Sequence, residues 1–458
     1  MRYVSTRGQA PVLNFEQAML SGLARDGGLY LPETIPAISG LNELDGLPYE
    51  DIAFRVIRPF TGDCFSDDEL RGAIDRAYAR IAHSARAPLV QLAPGHHLLE
   101  LFHGPTLAFK DFAMQLIAQL FEIALKRSGQ RITIVGATSG DTGSAAIEAF
   151  RGIDNVDVFI MYPHGRVSEV QRRQMTTPTA ENVHALAVTG HFDDCQARLK
   201  DLFNDHDFRD QVGLAGVNSI NWARVVAQIV YYFTAAASLG MRPIDFTVPT
   251  GNFGDIFAGS IARAMGLPIR RLIVATNQND ILHRALTTGE YRTGTVEPSI
   301  SPSMDIQVSS NFERALYLAY GGDAGAIAQL MDELKIGGFT ISQGALQALR
   351  EQYASGRVSE DQTIDTIRQM RAETGEILCP HSAVGVAVAQ QHIEAGVPMV
   401  TLATAHPAKF PDAVERAIGL RPALPPHMAN LFDLPERVTR VENDVDALKS
   451  LILDRRTA

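Results

Sequence analysis

A chain of 458 residues exceeds one ordinary domain, so two or three domains and a large core are expected. Hydrophobic residues at 46% and charged residues at 20% exclude a disordered chain. The formal charge of -11 argues against nucleic acid as the main partner, because phosphate backbones require clustered Lys and Arg. An anionic small molecule must then be met by local cations and backbone dipoles, not by a global field.

Residues 1 to about 90 read as a helical module, with helices at Phe15–Ala24 and Asp67–Ala82 and a turn at Arg25-Asp26-Gly27-Gly28. Arg86-Ala87-Pro88-Leu89 and Pro94-Gly95 mark a linker. Next comes His103-Gly104-Pro105-Thr106-Leu107-Ala108-Phe109-Lys110-Asp111-Phe112. Lys110 opens a run in which Phe112, Leu116, Ile117, Leu120, Ile123 and Ala124 recur at helical spacing up to Gly129. A lysine at a helix start among apolar neighbours is partly desolvated, which disfavours its charged form and frees the amine for attack on a carbonyl. The alternative is an ordinary surface lysine after a loop.

Arg131 to Val135 reads as a short buried strand, then Gly136-Ala137-Thr138-Ser139-Gly140-Asp141-Thr142-Gly143-Ser144 leads into a helix to about Phe150. Strands at Val156–Met161 and Val183–Val188 alternate with helices at Ser168–Met175, Phe192–Phe203 and Trp222–Leu239. Such alternation implies βαβ units and a parallel sheet covered on both faces. Asn221 is a natural N-cap for the helix at Trp222, which places Arg224 in its first turn. Phe246–Pro249 is another strand, followed by Thr250-Gly251-Asn252-Phe253-Gly254-Asp255 and a helix from about Ile256. Both glycine loops follow strands and precede helices, a layout that points backbone N–H groups at an anion outside the strands' carboxyl ends. Neither has the glycine spacing of a dinucleotide fingerprint or the lysine of a nucleotide P-loop. Each is also compatible with a plain turn.

After a strand at Leu272–Ala275, residues 277 to about 345 read as an insertion, first rich in Ser, Thr, Gly and Pro, then helical from Phe312 to Leu334. Within it Ser301–Ile306 reads as a structural loop, with a lid as the alternative. Helices at Gln362–Thr374 and Ala383–Glu394 precede a last strand, Met399–Ala403, which ends at Thr404. His406 stands before a proline at that strand end and reads as structural, the alternative being an acid. A Pro-containing tail closes the chain with a helix at Val445–Leu453. Cys64, Cys195 and Cys379 are odd in number and far apart, which fits a reduced cytosolic compartment. Neither they nor the 13 histidines have metal-ligand spacing, so no metal site is expected. With no membrane-length apolar stretch and no signal-peptide core, a soluble cytoplasmic protein is expected, a monomer or homodimer with no nucleic-acid or membrane partner.

The Lys110 stretch, the Ser139–Ser144 loop and the Thr250–Gly254 loop together resemble the threonine synthases, pyridoxal-phosphate enzymes of the tryptophan-synthase-β structural family. The opening (Tyr3 to Gly8 and Gly22 to Pro32), Asn218 to Arg224, Ser301 to Ile306 and Thr404 to Phe410 resemble the same family, so the likeness spans roughly residues 3 to 410. The resemblance implies a fold-type II α/β enzyme with two doubly wound parallel-sheet domains. On that reading residues 1–90 are the N-terminal module, 91–410 the catalytic core with its insertion, and 411–458 a tail packed on the core. It implies pyridoxal 5'-phosphate in Schiff-base linkage to Lys110, its phosphate on Gly251, Asn252, Phe253 and Gly254, and Thr404 at the pyridine nitrogen. A hydroxyl there leaves that nitrogen largely unprotonated. The implied substrate is O-phosphohomoserine, with its carboxylate at Thr138, Ser139 and Thr142 and its phosphate at Asn218, Ser219 and Arg224. Loss of phosphate and addition of water would give L-threonine. Asp141, grouped with the substrate residues, departs from the amide common at this loop in related enzymes and would repel a substrate carboxylate unless turned away or protonated. Two rivals stay open: a γ-phospho-lyase on the same scaffold releasing a keto acid, and a non-catalytic anion-binding protein.

Overall fold

The computed structural model describes residues 1–457. Two mainly parallel sheets form its frame. The strands and helices that carry the site are, in chain order, β1 (Leu89–Ala93), β2 (His96–Glu100), α1 (Lys110–Ser128), β3 (Ile132–Ala137), α2 (Asp141–Phe150), β4 (Val156–Pro163), β5 (Val183–Val188), β6 (Leu214–Ala215), α3 (Trp222–Ser238), β7 (Ile244–Pro249), α4 (Gly254–Ala264), β8 (Ile269–Thr276), β9 (Tyr353–Arg357), α5 (Pro380–Gln390), β10 (Met399–Ala403) and β11 (Thr439–Val441).

One sheet has the order β9-β8-β7-β10-β2-β1 and the other β11-β5-β4-β3-β6. All pairings are parallel except the β1–β2 hairpin. Every residue of β3, β4 and β7 is buried, because helices cover both faces of a parallel sheet; the strands are mainly apolar, with Thr133, Asp157, Asp245 and Thr247 buried among them. Helix α3 is buried from Trp222 to Ala237, on all its faces, and packs against α1, α4 and the N-terminal helix Tyr49–Thr61.

The N-terminal module docks on the start of α3. Tyr3 and Phe60 lie 6.1 and 5.9 Å from the Trp222 ring. The Arg314 guanidinium, fully buried, donates to Tyr30 O at 3.0 and 2.7 Å and to Ile220 O at 2.6 Å. Arg7 pairs with Glu313 at 3.0 Å, so the module is stitched to the insertion as well as to the core.

Several sequence expectations are corrected. The presumed linker at 86–95 contains β1, and Pro94-Gly95 is a hairpin turn with Gly95 at φ 77°. β1 is a half-exposed edge strand, so it lacks the continuous apolar run that marks its neighbours. The N-terminal module is not all helical: Tyr3–Ser5 pairs antiparallel with Tyr30–Pro32. The long helix expected over Phe312–Leu334 is two, Phe312–Ala319 and Ala324–Lys335, because Gly321 and Gly322 take φ 65° and 84° and Asp323 caps the second. In the tail, β11 adds a strand beside β5.

Candidate active site

Lys110 stands at the first turn of α1, at the end of a loop pinned to the carboxyl edge of the six-stranded sheet. Phe109 N donates to Thr404 O at 2.9 Å and His406 N to Leu107 O at 3.0 Å, closing an antiparallel bridge between Ala108 and Ala405. Asp111, fully buried, accepts from Thr106 N at 2.8 Å and Thr106 Oγ1 at 2.7 Å, and Leu107 takes φ 64° to make the bend. A Cβ at Gly104 would collide with that carboxylate. The bend aims the Lys110 side chain, 13% exposed, into a cavity of about 500 Å³. Burial pushes its amine below the ordinary lysine value; Asp141 opposes this, and the Lys409 and Arg224 charges add to it.

On the far side of the same cavity lies the loop Thr250–Gly254 between β7 and α4. Its carbonyls are tied down by the insertion: Ser309 Oγ donates to Gly251 O at 2.6 Å, and Asn311 N and Nδ2 both donate to Asn252 O at 3.0 Å. Its amides are not. Among the described residues no acceptor meets the N–H groups of Gly251, Asn252, Phe253 or Gly254. Unsatisfied donors at a helix N-terminus form an anion cradle. Phe253 reaches it through φ 64°, its ring buried 5.2 Å from both Phe312 and Tyr353, so this residue gives a backbone N–H and packs its side chain. Gly251 has no room for a Cβ, which would lie 2.5 Å from Ser303 O.

The second loop, from β3 to α2, is folded about Thr138, whose Oγ1 accepts from Gly140 N at 2.9 Å and Gly143 N at 3.0 Å. Gly140 has φ 136°, and a Cβ there would strike the Gln171 amide. The N–H groups of Ser139, Asp141 and Thr142 have no acceptor among the described residues. Both oxygens of Asp141 are engaged within the protein. Oδ2 lies 3.3 Å from Lys110 Nζ and 3.3 Å from Ser303 Oγ; Oδ1 lies 2.9 Å from Lys409 Nζ and 2.8 Å from Gln171 Nε2. Burial would raise its pKa, yet Lys110 and Lys409 hold the carboxyl well below the ordinary range, so it is an anion.

Arg224 enters the cavity from the first turn of α3, which Asn221 caps through Ala223 N at 3.0 Å. It is 2% exposed, with Nη1 on Val217 O at 3.1 Å, Nε without a partner, and no carboxylate in ion-pair range among the described residues. Burial brings it down to about 10. Asn218, Ser219, Ser310 and Thr404 line the same space, and the Thr404 hydroxyl makes no hydrogen bond to the protein among the described residues. The cavity thus joins one shielded amine to three sets of anion-seeking groups.

Comparison with known proteins settles the family. Residues 2–78 match the model "Threonine synthase N terminus", 85–405 "Pyridoxal-phosphate dependent enzyme" and 382–452 "Threonine synthase, C-terminal". The chain is 53% identical to threonine synthase of Pseudomonas aeruginosa over 99% of its own length and 98% of the relative's. The chain belongs to the threonine synthase family. A crystal structure of pyridoxal-phosphate-bound threonine synthase from Brucella melitensis superposes with TM-score 0.97 at 53% identity, covering 100% of both chains. Threonine synthase from yeast gives 0.93 at 40% identity, covering 99% and 98%.

Within this threonine synthase family member, all the site residues expected from sequence line one cavity: Lys110, Thr138, Ser139, Asp141, Thr142, Asn218, Ser219, Arg224, Gly251–Gly254 and Thr404. Four neighbours escaped sequence reading. Lys409 is fully buried; it lies in the Thr404–Phe410 stretch that carries part of the family resemblance, between Ala408 and Phe410. Gln171 reaches Asp141 from another element with no local signal, and Ser303 reaches it from the Ser301–Ile306 stretch, read from sequence as a structural loop. His381 accepts from Ser303 N at 3.1 Å through Nε2, so its proton sits on Nδ1. Burial pushes its pKa down to about 4, so the ring is neutral. His406 caps the turn Pro407–Lys409 by accepting from Ala408 N at 3.1 Å.

Proposed function

We propose that this chain converts O-phosphohomoserine and water to L-threonine and phosphate, with Lys110 as the amine that carries pyridoxal 5'-phosphate. The observation that carries the reading is Arg224: a buried guanidinium with no acidic partner among the described residues, in the cavity that holds a desolvated lysine and a separate N–H cradle. One phosphate site serves a cofactor; a second is needed only when the substrate also bears one. The residues fit the cofactor, because the four unpaired amides at 251–254 are a ready phosphate seat and the Thr404 hydroxyl is free for a ring nitrogen. When bound there, the cofactor supplies an electron sink for charge developing on the substrate's carbons.

The protein's own groups do the rest. The free N–H groups of Ser139 and Thr142, with the Thr138 and Ser139 hydroxyls, hold the substrate carboxylate at the start of α2. Arg224, Asn218 and Ser219 hold its phosphate and, as donors, stabilise negative charge on the departing group. Lys110, its proton affinity lowered by burial so that the amine is more readily uncharged, carries protons to and from the substrate's α and β carbons. Asp141 is placed here as the counter-ion of Lys110, not as a substrate ligand, since both its oxygens are taken. The three cysteines are all free thiols, which supports a reducing, cytoplasmic setting. The test is a product assay on the purified holoenzyme. Equal amounts of threonine and phosphate are expected from O-phosphohomoserine, with none from Lys110→Ala; keto acid and ammonia in place of threonine would overturn the synthase reading.

A further inference from the structure

A second lysine stands behind the reactive one. Lys409 lies in the short turn after β10, its side chain 0% exposed, and reaches Thr106 O at 2.7 Å and Asp141 Oδ1 at 2.9 Å. Two buried carboxylates flank it, Asp141 directly and Asp111 through Thr106, which Asp111 grips by both N and Oγ1. Burying an ammonium this completely is costly unless it is paired, and here it has a carboxylate and a backbone carbonyl as partners. Its neighbour Asp141 is shared, with the other oxygen 3.3 Å from Lys110 Nζ.

We propose that Lys409 is a positioning residue of the site: its fixed positive charge keeps Asp141 an anion turned onto Lys110 whatever the charge on Lys110 itself. The inference rests on Lys110 being the cofactor-bearing amine. That amine must lose its charge to join an aldehyde, and a lone buried Asp141 would then be left without a cation. Lys409 remains in place at that moment and keeps Asp141 ionised, so the carboxylate goes on aligning the lysine nitrogen. The charged or titratable groups facing this pair are Asp141, Asp111, Arg224 and the neutral His381. The turn is itself held from two sides, by His406 on Ala408 N and by Ser168 Oγ on Lys409 O at 3.0 Å, so the ammonium is delivered by rigid backbone.

The opposed charges give a test with two signs. The rate at which cofactor-free, full-length protein captures pyridoxal phosphate at Lys110 is measured against pH, with cyanoborohydride trapping and peptide mass to locate the adduct. Attack needs the uncharged amine, so the midpoint of the profile reports its proton affinity. Lys409→Gln removes a repelling cation and moves the midpoint up by about one pH unit; Asp141→Asn removes an attracting anion and moves it down by about as much. Lys409→Arg keeps the charge and keeps the midpoint near the parent's. A merely structural lysine would leave the midpoint in place or shift both variants the same way, and either result overturns the proposal. Because the site is fully buried, Lys409→Met, which puts an apolar unbranched side chain one atom shorter in place of the ammonium, is run beside Lys409→Gln. If neither folds, Asp141→Asn decides alone, and an unmoved or upward midpoint sinks the idea. No capture at Lys110 in the parent protein overturns the cofactor reading and this inference together; capture with unmoved midpoints overturns this inference only.

Discussion

Arg224 and Arg314 are both buried guanidinium groups, yet the protein uses them in opposite ways. Arg314 spends its donors on Tyr30 O, Ile220 O and Asn311, whereas Arg224 keeps Nε unpaired and faces the cavity. Replacing a buried cation that lacks a counter-ion removes a desolvation cost along with one hydrogen bond. Arg224→Met is therefore expected to leave the ligand-free unfolding free energy within about 1 kcal/mol of the parent. Its kcat/KM for a phosphorylated substrate should fall on the order of 100-fold, the worth of a charged hydrogen bond near 3 kcal/mol. Calorimetry and steady-state kinetics on one preparation check both halves. Asp255 makes a second residue-scale prediction. Burial raises its carboxyl from 3.8 to about 7, with only Tyr231 and Tyr232 donating to Oδ1 and nothing on Oδ2. Between those two values the native state keeps a proton that the unfolded chain has lost, so stability falls as pH rises through that window. Asp255→Asn should flatten this slope and exceed the parent's stability above pH 7 by up to about 4 kcal/mol, read from urea unfolding across pH.

At the scale of elements, the proposed cofactor seat depends on a segment that contributes no chemistry of its own. Residues 309–311 of the insertion hold the carbonyls of Gly251 and Asn252, which turns the amides of that loop toward the cavity. Asn311 also donates to Ser219 O at 3.1 Å, so one side chain braces the phosphate cradle and the Asn218–Ser219 loop together. Asn311→Ala should raise the dissociation constant for pyridoxal phosphate about tenfold, by loss of roughly one net hydrogen bond of ordering, without altering the overall circular dichroism spectrum. An unchanged constant in equilibrium titration would show the loop to be self-supporting. Gly140 is the corresponding weak point of the other loop. Its φ of 136° and the Gln171 amide both forbid a Cβ.

Across the whole molecule, the two sheets present their carboxyl edges to one cavity. The N-terminal module holds that arrangement from behind by clamping the start of α3. Arg314 is the rivet, since Tyr30 belongs to the N-terminal ribbon and Ile220 is the neighbour of Ser219. Arg314→Met leaves two buried carbonyls without donors, so thermal unfolding should report a loss of about 3 kcal/mol. Activity toward the phosphorylated substrate should fall with it, because the loop bearing Asn218 and Ser219 loses its anchor. Full stability in that variant would mean the module is only docked, not structural.

What was legible from sequence is what local patterning encodes. Lys110 opens a 3.6-residue periodicity, each glycine loop sits between an apolar run and a helix, and Thr404 ends the last buried strand. Backbone geometry alone then sends these residues to the carboxyl edges of parallel strands. Tertiary structure decided the charges. Asp141 becomes a counter-ion because Lys409 arrives from the far end of the chain, and Thr106 meets that lysine across 303 positions. Arg224 becomes the proposed anion site because, among the described residues, no carboxylate comes within ion-pair range of it and its Nε has no partner. The hairpin at β1 was hidden for a related reason, since an edge strand depends on what neighbours cover or leave open, whereas the helix stop at Gly321-Gly322 with its Asp323 cap is a local signal. Periodicity is a property of neighbouring residues, whereas the proton affinity of a buried group is set by whichever distant charges the fold places within a few ångströms of it.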